Sequence, residues 1–485
     1  MPFSSVAFLF AFLPTFLVVY QLAPVRARNA VALLASLCFY AWGAPRFLPM
    51  LVVVSAIDFL FSRRIAQAEQ GSKRRSRLLA LSICLNLGLL FYFKYANFVV
   101  HEGNRLAGAF GAGPVSWQDI ALPMGISFVA FEEISYLVDV YRGTALPATR
   151  FSDYALFLSL FPHSIAGPIF RWKDLEQQLK SRIHSLQLVF EGALRFSFGL
   201  AKKVLVANHV AALADSVFSL ESWRLPTSYA WLGLLAYTLQ IYFDFSGYSD
   251  MAIGLGKMMG FSFKENFEAP YTSASITEFW RRWHISLSSW LRDYLYIPLG
   301  GSRVGEAKRY RNLIFVFLVC GFWHGANWTF LAWGAYHGAW LIIERTQPWR
   351  RLVSRVPRVL AVPSTFVLVM LGWVLFRCDD LTHAVGYFRR LLWWHPLTGP
   401  DALYAWGELL PNRTLFYGAL GLAGCALVAF PRAESFVAWL VGKRARSVET
   451  AAGDSLRFAV ALSTFLISAI SLVNSKFNPF IYFRF

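Results

Sequence analysis

Histidines inside apolar stretches are the residues of this 485-residue sequence best suited to chemistry. His324 lies in CGFWHGAN, within an apolar run from Leu313 to Trp333, and His337 follows in AYHG. His284 lies in a segment rich in tryptophan and arginine. A neutral imidazole can accept a proton from a hydroxyl group and return it to a leaving group. Because an ionisable side chain at membrane depth is costly and indicates function, we predict proton-transfer chemistry centred on His324.

The sequence around His324 favours it over the second histidine. Gly321 and Gly325 flank His324, so backbone or a ligand can approach closely there, and no adjacent carboxylate explains the imidazole as half of an ion pair. His337 fits a helix-packing role better. The two histidines are thirteen positions apart, about 220° around one continuous helix. They converge only if the chain turns between them, and Gly325 to Trp328 can supply that turn.

For the other charged residues in apolar stretches we expect a structural role and not a catalytic one. Asp244 and Asp250 lie in YFDFSGYSD, and we expect them to brace helices or to pair with Lys202 and Lys203. Asp244 is kept as a candidate substrate-binding residue. The sequence contains no HxxxH, HExxH, GxSxG, Walker or Rossmann pattern, so neither a metal site nor a serine nucleophile is predicted.

Composition indicates that these residues lie in a membrane protein. Hydrophobic residues make up 56% of the chain and charged residues 15%, against about 25% charged in soluble domains; the mean hydropathy is +0.46. The net charge of +18 gathers in short loops, as the positive-inside rule expects, so a nucleic-acid partner is excluded. Basic loops at 63–77, 345–358 and 432–446 are predicted to be cytoplasmic. Candidate spans are 5–24, 29–43, 45–62, 78–100, 120–140, 187–212, 227–258, 311–329, 331–345, 358–378, 413–431 and 456–475.

Two apolar segments do not fit simple spans. Phe161 to Phe170, FPHSIAGPIF, contains two prolines and a glycine, so we expect broken backbone that is buried in protein or lines a cavity. Thr277 to Tyr296, TEFWRRWHISLSSWLRDYLY, has apolar residues at helical spacing. This pattern predicts one amphipathic helix that either lies at the membrane interface or enters the protein as a re-entrant segment.

Several ordered motifs closely resemble the membrane-bound O-acyltransferase superfamily, and within it the bacterial branch that contains the alginate O-acetylation membrane protein. They are LPMGISFVAFEEISYLVDVYRG (122–143), FPHSIAGPIFRWKDL (161–175), LQIYFDFSGYSDMAIGLGKMMGF (239–261), ITEFWRRWHISLSSWLRDYLYIPLGG (276–301) and GFWHGANWTFLAWGAYHG (321–338). The resemblance extends from CFYAWG (38–43) to the terminal NPFIYFRF.

The resemblance implies an all-α polytopic fold with about 11 or 12 transmembrane helices around a central funnel. It implies a single membrane domain over residues 1–485, with a motif-rich core at about 120–345 and accessory spans at 1–119 and 346–485. The family's near-invariant histidine falls on His324 and its second polar position on His284. On this reading His324 is a general base on the acceptor hydroxyl, and His284 positions the donor or polarises its carbonyl.

The same resemblance suggests substrates and partners. An acetyl group passes from a cytoplasmic thioester such as acetyl-CoA, which is a donor and not a tightly bound cofactor, toward an exported polysaccharide. Final transfer would fall to an extracytoplasmic partner with a serine hydrolase-like fold, within a polysaccharide synthesis complex at the bacterial inner membrane. Alginate is the leading polymer, with cellulose and peptidoglycan behind it, and a non-catalytic transporter is the alternative of another class. Further candidate binding residues are Trp323, Arg281, Arg282 and Arg292, whose arginines suit either donor phosphates or anionic lipid headgroups.

Overall fold

The computed structural model describes residues 2–396, 410–443, 451–475 and 477–479, and every regular element in these ranges is helical. The chain forms two compact units. Unit 1 comprises residues 7–185 with 259–262, and unit 2 comprises residues 186–258 and 263 onward together with residues 3–6. The predicted all-α fold is confirmed. Each predicted span overlaps at least one helix, although the span at 187–212 covers parts of two helices with a π-helical turn between them.

Unit 1 contains eight α-helices in its described part. Short π-helical turns precede α1 and join α4 to α5. The helices are α1 (Leu13–Leu22), α2 (Arg28–Gly43), α3 (Leu48–Gln67), α4 (Lys73–Leu90), α5 (Ala96–Ala109), α6 (Ile126–Arg142), α7 (Phe151–Ser159) and α8 (Trp172–Lys180).

The segment from Phe161 to Phe170 forms turns without a helix, as predicted, and it is buried within unit 1. Ser36 Oγ accepts a hydrogen bond from the backbone N–H of Phe161 at 3.1 Å. The ring of His163 lies 3.1 Å from Glu132 Oε1. These buried partners replace the helical hydrogen bonds that the prolines prevent.

Unit 2 begins with three closely packed helices. Gly199 and Gly254 lie at the crossing of the first and third, where an added Cβ would come within 2.6 Å of the carbonyl oxygens of Gly247 and Gly192. Small residues therefore let two backbones touch at membrane depth. The helices of this unit are α9 (Leu186–Ala201), α10 (Asn208–Phe218), α11 (Thr227–Met258), α12 (Ile276–Arg282), α13 (Ile285–Leu291), α14 (Glu306–His324), α15 (Trp328–Ile343), α16 (Gln347–Val353), α17 (Arg358–Arg377), α18 (Leu381–Leu392), α19 (Asn412–Leu427), α20 (Pro431–Leu440) and α21 (Ala451–Asn474).

The two ends of the chain meet inside unit 2. Asn478 Nδ2 donates to the carbonyl of Ser4 at 2.6 Å, and Asn208 Nδ2 donates to Asn478 Oδ1 at 3.1 Å. The ammonium group of Lys203 donates to the carbonyl of Pro479. Residues 474 positions apart are thus hydrogen-bonded to each other.

The predicted amphipathic helix over 277–296 is wrong as a single helix. It is two short helices, α12 and α13, broken at His284, whose φ of 44° and ψ of 55° are left-handed. A π-turn follows over Arg292–Tyr296. Periodicity misses the break because Trp283 and Leu287 are buried on either side of it, so the apolar pattern continues through it. Of the two readings of this segment, entry into the protein is the one that the buried tryptophans favour.

Four helical stretches in the described residues are long and apolar enough to cross a membrane on their own. They are 45–67, 73–109, α17 and 452–474. The other predicted spans lie on helices that are shorter or carry more polar side chains. Such polar side chains are tolerated at membrane depth where they pair inside the protein.

Helices α14 and α15 form a tight hairpin that carries His324 and His337. A Cβ added at Gly321 would lie 2.1 Å from the carbonyl oxygen of Phe330, and one at Gly334 would lie 2.2 Å from that of Phe317. The turn that Gly325 to Trp328 can supply is present, since α14 ends at His324 and α15 begins at Trp328. The glycine at 321 thus serves backbone contact between the two helices.

We predict that Gly321→Ala lowers the free energy of unfolding by about 1–3 kcal/mol or more, because the added methyl group meets backbone that cannot move aside. Gly424→Ala is the matched control, since this helical glycine in α19 has open space around its Cβ position. Thermal unfolding in detergent measures both variants. A Gly321→Ala protein as stable as Gly424→Ala would contradict the tight hairpin.

Candidate active site

His324 ends α14 within an aromatic enclosure. It is 8% exposed, and its ring centroid lies 4.8 Å from that of Trp323, 5.3 Å from that of Trp333 and 5.1 Å from that of Phe376. Because these aromatic walls exclude water, charge that develops on the imidazole during proton transfer is less screened here than at the surface. The enclosure suits the general-base role predicted for His324.

His337 lies on the other side of Trp333. The ring centroids of Trp333 and His337 are 5.0 Å apart, and the indole N–H of Trp280 donates to His337 Nδ1 at 3.3 Å. His337 is fully buried, and a Cβ at Gly372 would lie 3.0 Å from its Nε2. An imidazole hydrogen-bonded by one helix and packed against another fits the helix-packing role that the sequence favours.

His284 is held by Asn266, which the sequence reasoning missed. Asn266 is fully buried. Its backbone carbonyl accepts from the N–H of Ile285 at 3.0 Å, and its Oδ1 accepts from the N–H and Oγ of Ser286 at 3.2 and 2.9 Å. These bonds fix the left-handed turn at His284, a conformation that few non-glycine residues adopt. The only signal in the sequence is an asparagine between charged residues in KENFE, which reads as an ordinary loop.

The same clamp selects one tautomer of His284. The backbone N–H of Ser286 can only donate, so the amide of Asn266 presents its oxygen on this side. That oxygen lies 3.3 Å from His284 Nδ1, and two facing lone pairs would repel each other. Nδ1 therefore carries the proton in the neutral ring, and Nε2 carries the lone pair. The Oγ of Ser286 is 3.5 Å from Nδ1, a weaker contact than its 2.9 Å bond to Asn266.

Trp323 connects the two predicted catalytic histidines. Its ring centroid lies 6.4 Å from that of His284 and 4.8 Å from that of His324. Phe245 packs edge-on against His284 at 4.6 Å. The sequence names Trp323 as a binding residue, and the structure places it between the two imidazoles.

The remaining predicted binding residues are dispersed. Asp244 pairs with Lys203 at 2.6 Å, Arg282 with Glu278 at 2.8 Å, and Arg292 with Asp293 at 2.6 Å. These pairings match the structural reading for Asp244, and they engage Arg282 and Arg292 with carboxylates.

Arg281 lines a cavity of about 590 Å³ in unit 2, together with Arg345, Arg350 and Trp349. Apolar side chains from α16 and α17 complete the wall of this arginine-lined cavity. Glu344 also borders it, but its carboxylate accepts from the N–H and Oγ1 of Thr277 at 2.8 and 2.6 Å. The volume is within the range of small-molecule sites, about 300–1,000 Å³, and the arginines favour an anionic ligand.

Helix α17 joins this cavity to the histidines. Residues 361, 364, 365 and 368 of α17 line the cavity, Gly372 packs on His337, and Phe376 in the last turn contacts His324. Beyond its end, the carbonyl of Asp379 accepts from Asn327 Nδ2 at 2.7 Å. Cavity, His337 and His324 thus follow one another along a helix about 30 Å long.

Within the described ranges, no group of three or more His, Cys, Asp or Glu side chains is arranged to hold a metal ion.

Comparison with known proteins gives consistent similarities. A model of the membrane-bound O-acyltransferase family matches residues 144–378. The chain is 44% identical to a probable alginate O-acetylase of Azotobacter vinelandii over the whole of both proteins. It is 51% identical to a probable alginate O-acetylase of Pseudomonas aeruginosa over 81% of this chain and 75% of that protein. A peptidoglycan O-acetyltransferase of Helicobacter pylori is 37% identical over 80% of this chain and 79% of that protein.

The tautomer of His284 is open to direct measurement. In protein with ¹⁵N-labelled histidine, we expect the signal that disappears in His284→Gln to be that of the Nδ1–H form. Asn266→Ala should abolish this preference, because the fixed acceptor is lost. Ser286→Ala is the control and should retain it, since Asn266 Oδ1 stays in place. An Nε2–H signal for His284 in the wild-type protein would contradict the assignment.

Proposed function

This chain belongs to the membrane-bound O-acyltransferase family, in the branch of the bacterial alginate O-acetylases, and we propose that it passes acetyl groups from a cytoplasmic thioester toward an exported polysaccharide. It is a multi-pass membrane protein and an O-acyltransferase. The names of its similar proteins support polysaccharide acetylation. Alginate is the proposed polymer. Peptidoglycan is the second candidate, because a relative that is 37% identical carries that activity in its name.

The observation that carries this proposal is the order of groups along α17. An anion-attracting cavity lies at the start of the helix, and His324 lies at its end. The segment 345–358 contains five arginines and no acidic residue, so the positive-inside rule assigns the start of α17 to the cytoplasm. A donor that enters at the arginines and an acceptor that enters near Asn327 would meet at His324.

We propose acetyl-CoA as the donor, with its phosphates in the arginine-lined cavity. Guanidinium groups bind phosphates through forked, charge-assisted hydrogen bonds. The apolar wall formed by α16 and α17 suits a flexible pantetheine arm. Of the arginines named from the sequence, Arg281 is the one that lines this cavity, and it takes the phosphate role here.

In the reaction that we propose, His324 takes the proton of the acceptor hydroxyl as the oxygen attacks the thioester carbonyl. A C–O bond forms, the C–S bond breaks, and the proton passes to the departing thiolate. General-base assistance of this kind contributes typically 10²–10⁴-fold, and positioning within the aromatic enclosure supplies more. A neutral His284 with its lone pair on Nε2 accepts a hydrogen bond from an N–H or O–H group of the acetyl donor or of the molecule that receives the acetyl group, and so helps to position it.

The proposed cellular setting is the bacterial inner membrane, beside a polysaccharide synthesis complex. An extracytoplasmic partner with a serine hydrolase-like fold would complete transfer to the polymer. A transporter that makes no bonds is the competing function, and the enclosed histidines argue against it because transport needs no general base.

His324→Ala should abolish acetylation without unfolding the protein, because a general base in a dry site has no substitute. His337→Ala should reduce stability more than activity, since its hydrogen bond from Trp280 holds α12 to α15; such bonds are worth about 0.6 kcal/mol on average in membranes. The measurement is the acetyl content of the exported polysaccharide in a gene-deletion strain that carries each variant, divided by the amount of folded protein. Normal acetylation by folded His324→Ala would refute the general-base role.

Arg350→Gln should raise KM for acetyl-CoA about tenfold, which corresponds to loss of one charged hydrogen bond. It should leave KM for acetyl-pantetheine, which lacks the nucleotide phosphates, unchanged. Arg351→Gln is the matched control, because Arg351 is on the same helix and does not line the cavity. Equal effects on both donors would show that the cavity does not bind the phosphates.

A further inference from the structure

A second cavity in unit 2 takes no part in the proposed acyl transfer. It measures about 480 Å³ and is lined by Ser222, Trp223, Gly386, Arg389, Arg390 and Trp393. We call it the outer groove. Two of its lining residues come from the segment before α11, three from α18, and one, Trp393, follows the end of α18.

The outer groove and the arginine-lined cavity lie at opposite ends of α17. Residues in the first half of α17 line the arginine-lined cavity, whereas α18 follows the last residue of α17 after a short break. Helix α17 has 20 residues and is apolar enough to span a bilayer. Because the five arginines of 345–358 assign its start to the cytoplasm, the outer groove faces the outside.

The walls of the outer groove are fixed by hydrogen bonds. Arg390 donates from Nε to the carbonyl of Ser222 at 2.6 Å and from Nη2 to that of Trp223 at 3.2 Å. The indole of Trp231 donates to the carbonyl of Leu391 at 3.2 Å. A Cβ at Gly386 would lie 2.2 Å from Ser222 Oγ, so α18 touches the opposite wall. A rigid groove binds its ligand with little ordering cost.

The side chains that the outer groove presents are indoles and guanidinium groups. Trp223 is 62% exposed and Trp393 is 66% exposed. Arg389 is exposed beside them, and the guanidinium of Arg224 stacks at 4.4 Å from the centre of the Trp223 ring. Flat indole faces pack against the C–H faces of sugar rings, and an arginine fork binds a carboxylate with two parallel hydrogen bonds. Arg390 is engaged with the carbonyls of Ser222 and Trp223, so Arg389 is the lining arginine suited to a carboxylate. A carboxylate-bearing sugar combines both complementary features.

We propose that the outer groove binds an acidic polysaccharide through its uronate units. The proposal rests on the proposed function and extends it, because this chain would itself hold the polymer. Asn327, in the turn after His324, bonds to Asp379 just before α18. The bound polymer would therefore lie at the end of the protein where acetyl groups emerge. An aromatic belt at the membrane interface would explain the tryptophans of the outer groove but not its arginines. Arginines are enriched on the cytoplasmic side of membrane proteins, so their presence in a groove on the outer side needs another explanation.

The test uses purified full-length protein in nanodiscs of zwitterionic lipid, titrated calorimetrically with an oligouronate and with a neutral oligosaccharide of equal length. The oligouronate should bind and the neutral oligomer should bind at least tenfold more weakly. Trp393→Ala and Arg389→Gln should each weaken oligouronate binding about tenfold. Trp394→Ala is the matched control, because Trp394 is 77% exposed but does not line the groove, and it should bind as the wild type does.

Equal binding of the two oligosaccharides, or unchanged binding by Trp393→Ala and Arg389→Gln, would overturn the proposal. Loss of oligouronate binding in nanodiscs that contain anionic lipid would overturn it as well and would assign the outer groove to lipid headgroups. Wild-type protein is assayed in parallel for acetyl transfer from acetyl-CoA to a small hydroxyl acceptor. If the protein transfers acetyl groups but does not bind the oligouronate, only the proposal for the outer groove is refuted. If it transfers no acetyl groups, the proposed function is refuted.

Discussion

Polar groups at membrane depth have no water to bond to, so each has to find its partner inside the protein. This requirement accounts for much of unit 2. Arg195 lies within 2.6 Å of both Asp250 and Glu265, and Lys203 lies 2.6 Å from Asp244. Charges that would be costly alone are retained because they are paired. The Asn266 clamp follows the same logic, since the turn at His284 leaves backbone N–H donors that the main-chain carbonyl and the side-chain oxygen of Asn266 satisfy.

The aromatic residues around the histidines serve a second requirement, which is to enclose the imidazoles and keep water away from them. Trp323, Trp333 and Phe376 surround His324 with ring edges and faces. A carboxylate in their place would hold the imidazolium and oppose return of the proton. Glycines allow this arrangement, because the backbone contacts at Gly321 and Gly334 leave the wide side chains of α14 and α15 to pack around the site.

The sequence predicts most of the long helices because membrane spans consist of long apolar runs. Helix α11, for example, matches its predicted span of 227–258 at both ends. The turn after His324 is only allowed by the sequence, because Gly325 to Trp328 can break a helix without having to do so, and the structure shows that the chain turns there. The break at His284 was not predicted, because its neighbours keep helical periodicity on both sides. Asn266 could not be predicted for a different reason. Its role depends on hydrogen bonds with residues 18 to 20 positions away, and no local sequence pattern indicates such a contact. Arg281, Arg282 and Arg292 look alike in sequence. The structure distinguishes them, because Arg282 and Arg292 pair with carboxylates whereas Arg281 lines the cavity.

The hydrogen bonds between Ser4, Asn208 and Asn478 have a consequence for biosynthesis. Lys203 joins the same cluster through Pro479 and also pairs with Asp244 in α11. Residues 478 and 479 are translated after every helix that the structure describes, so Ser4, Asn208 and Lys203 gain these partners only once residue 479 has been made. Insertion of the helices can begin earlier in synthesis, but this cluster closes only after the last described helix, α21, has been made. A chain whose synthesis stops before residue 478 would therefore present an incomplete interior to the membrane's quality-control proteases.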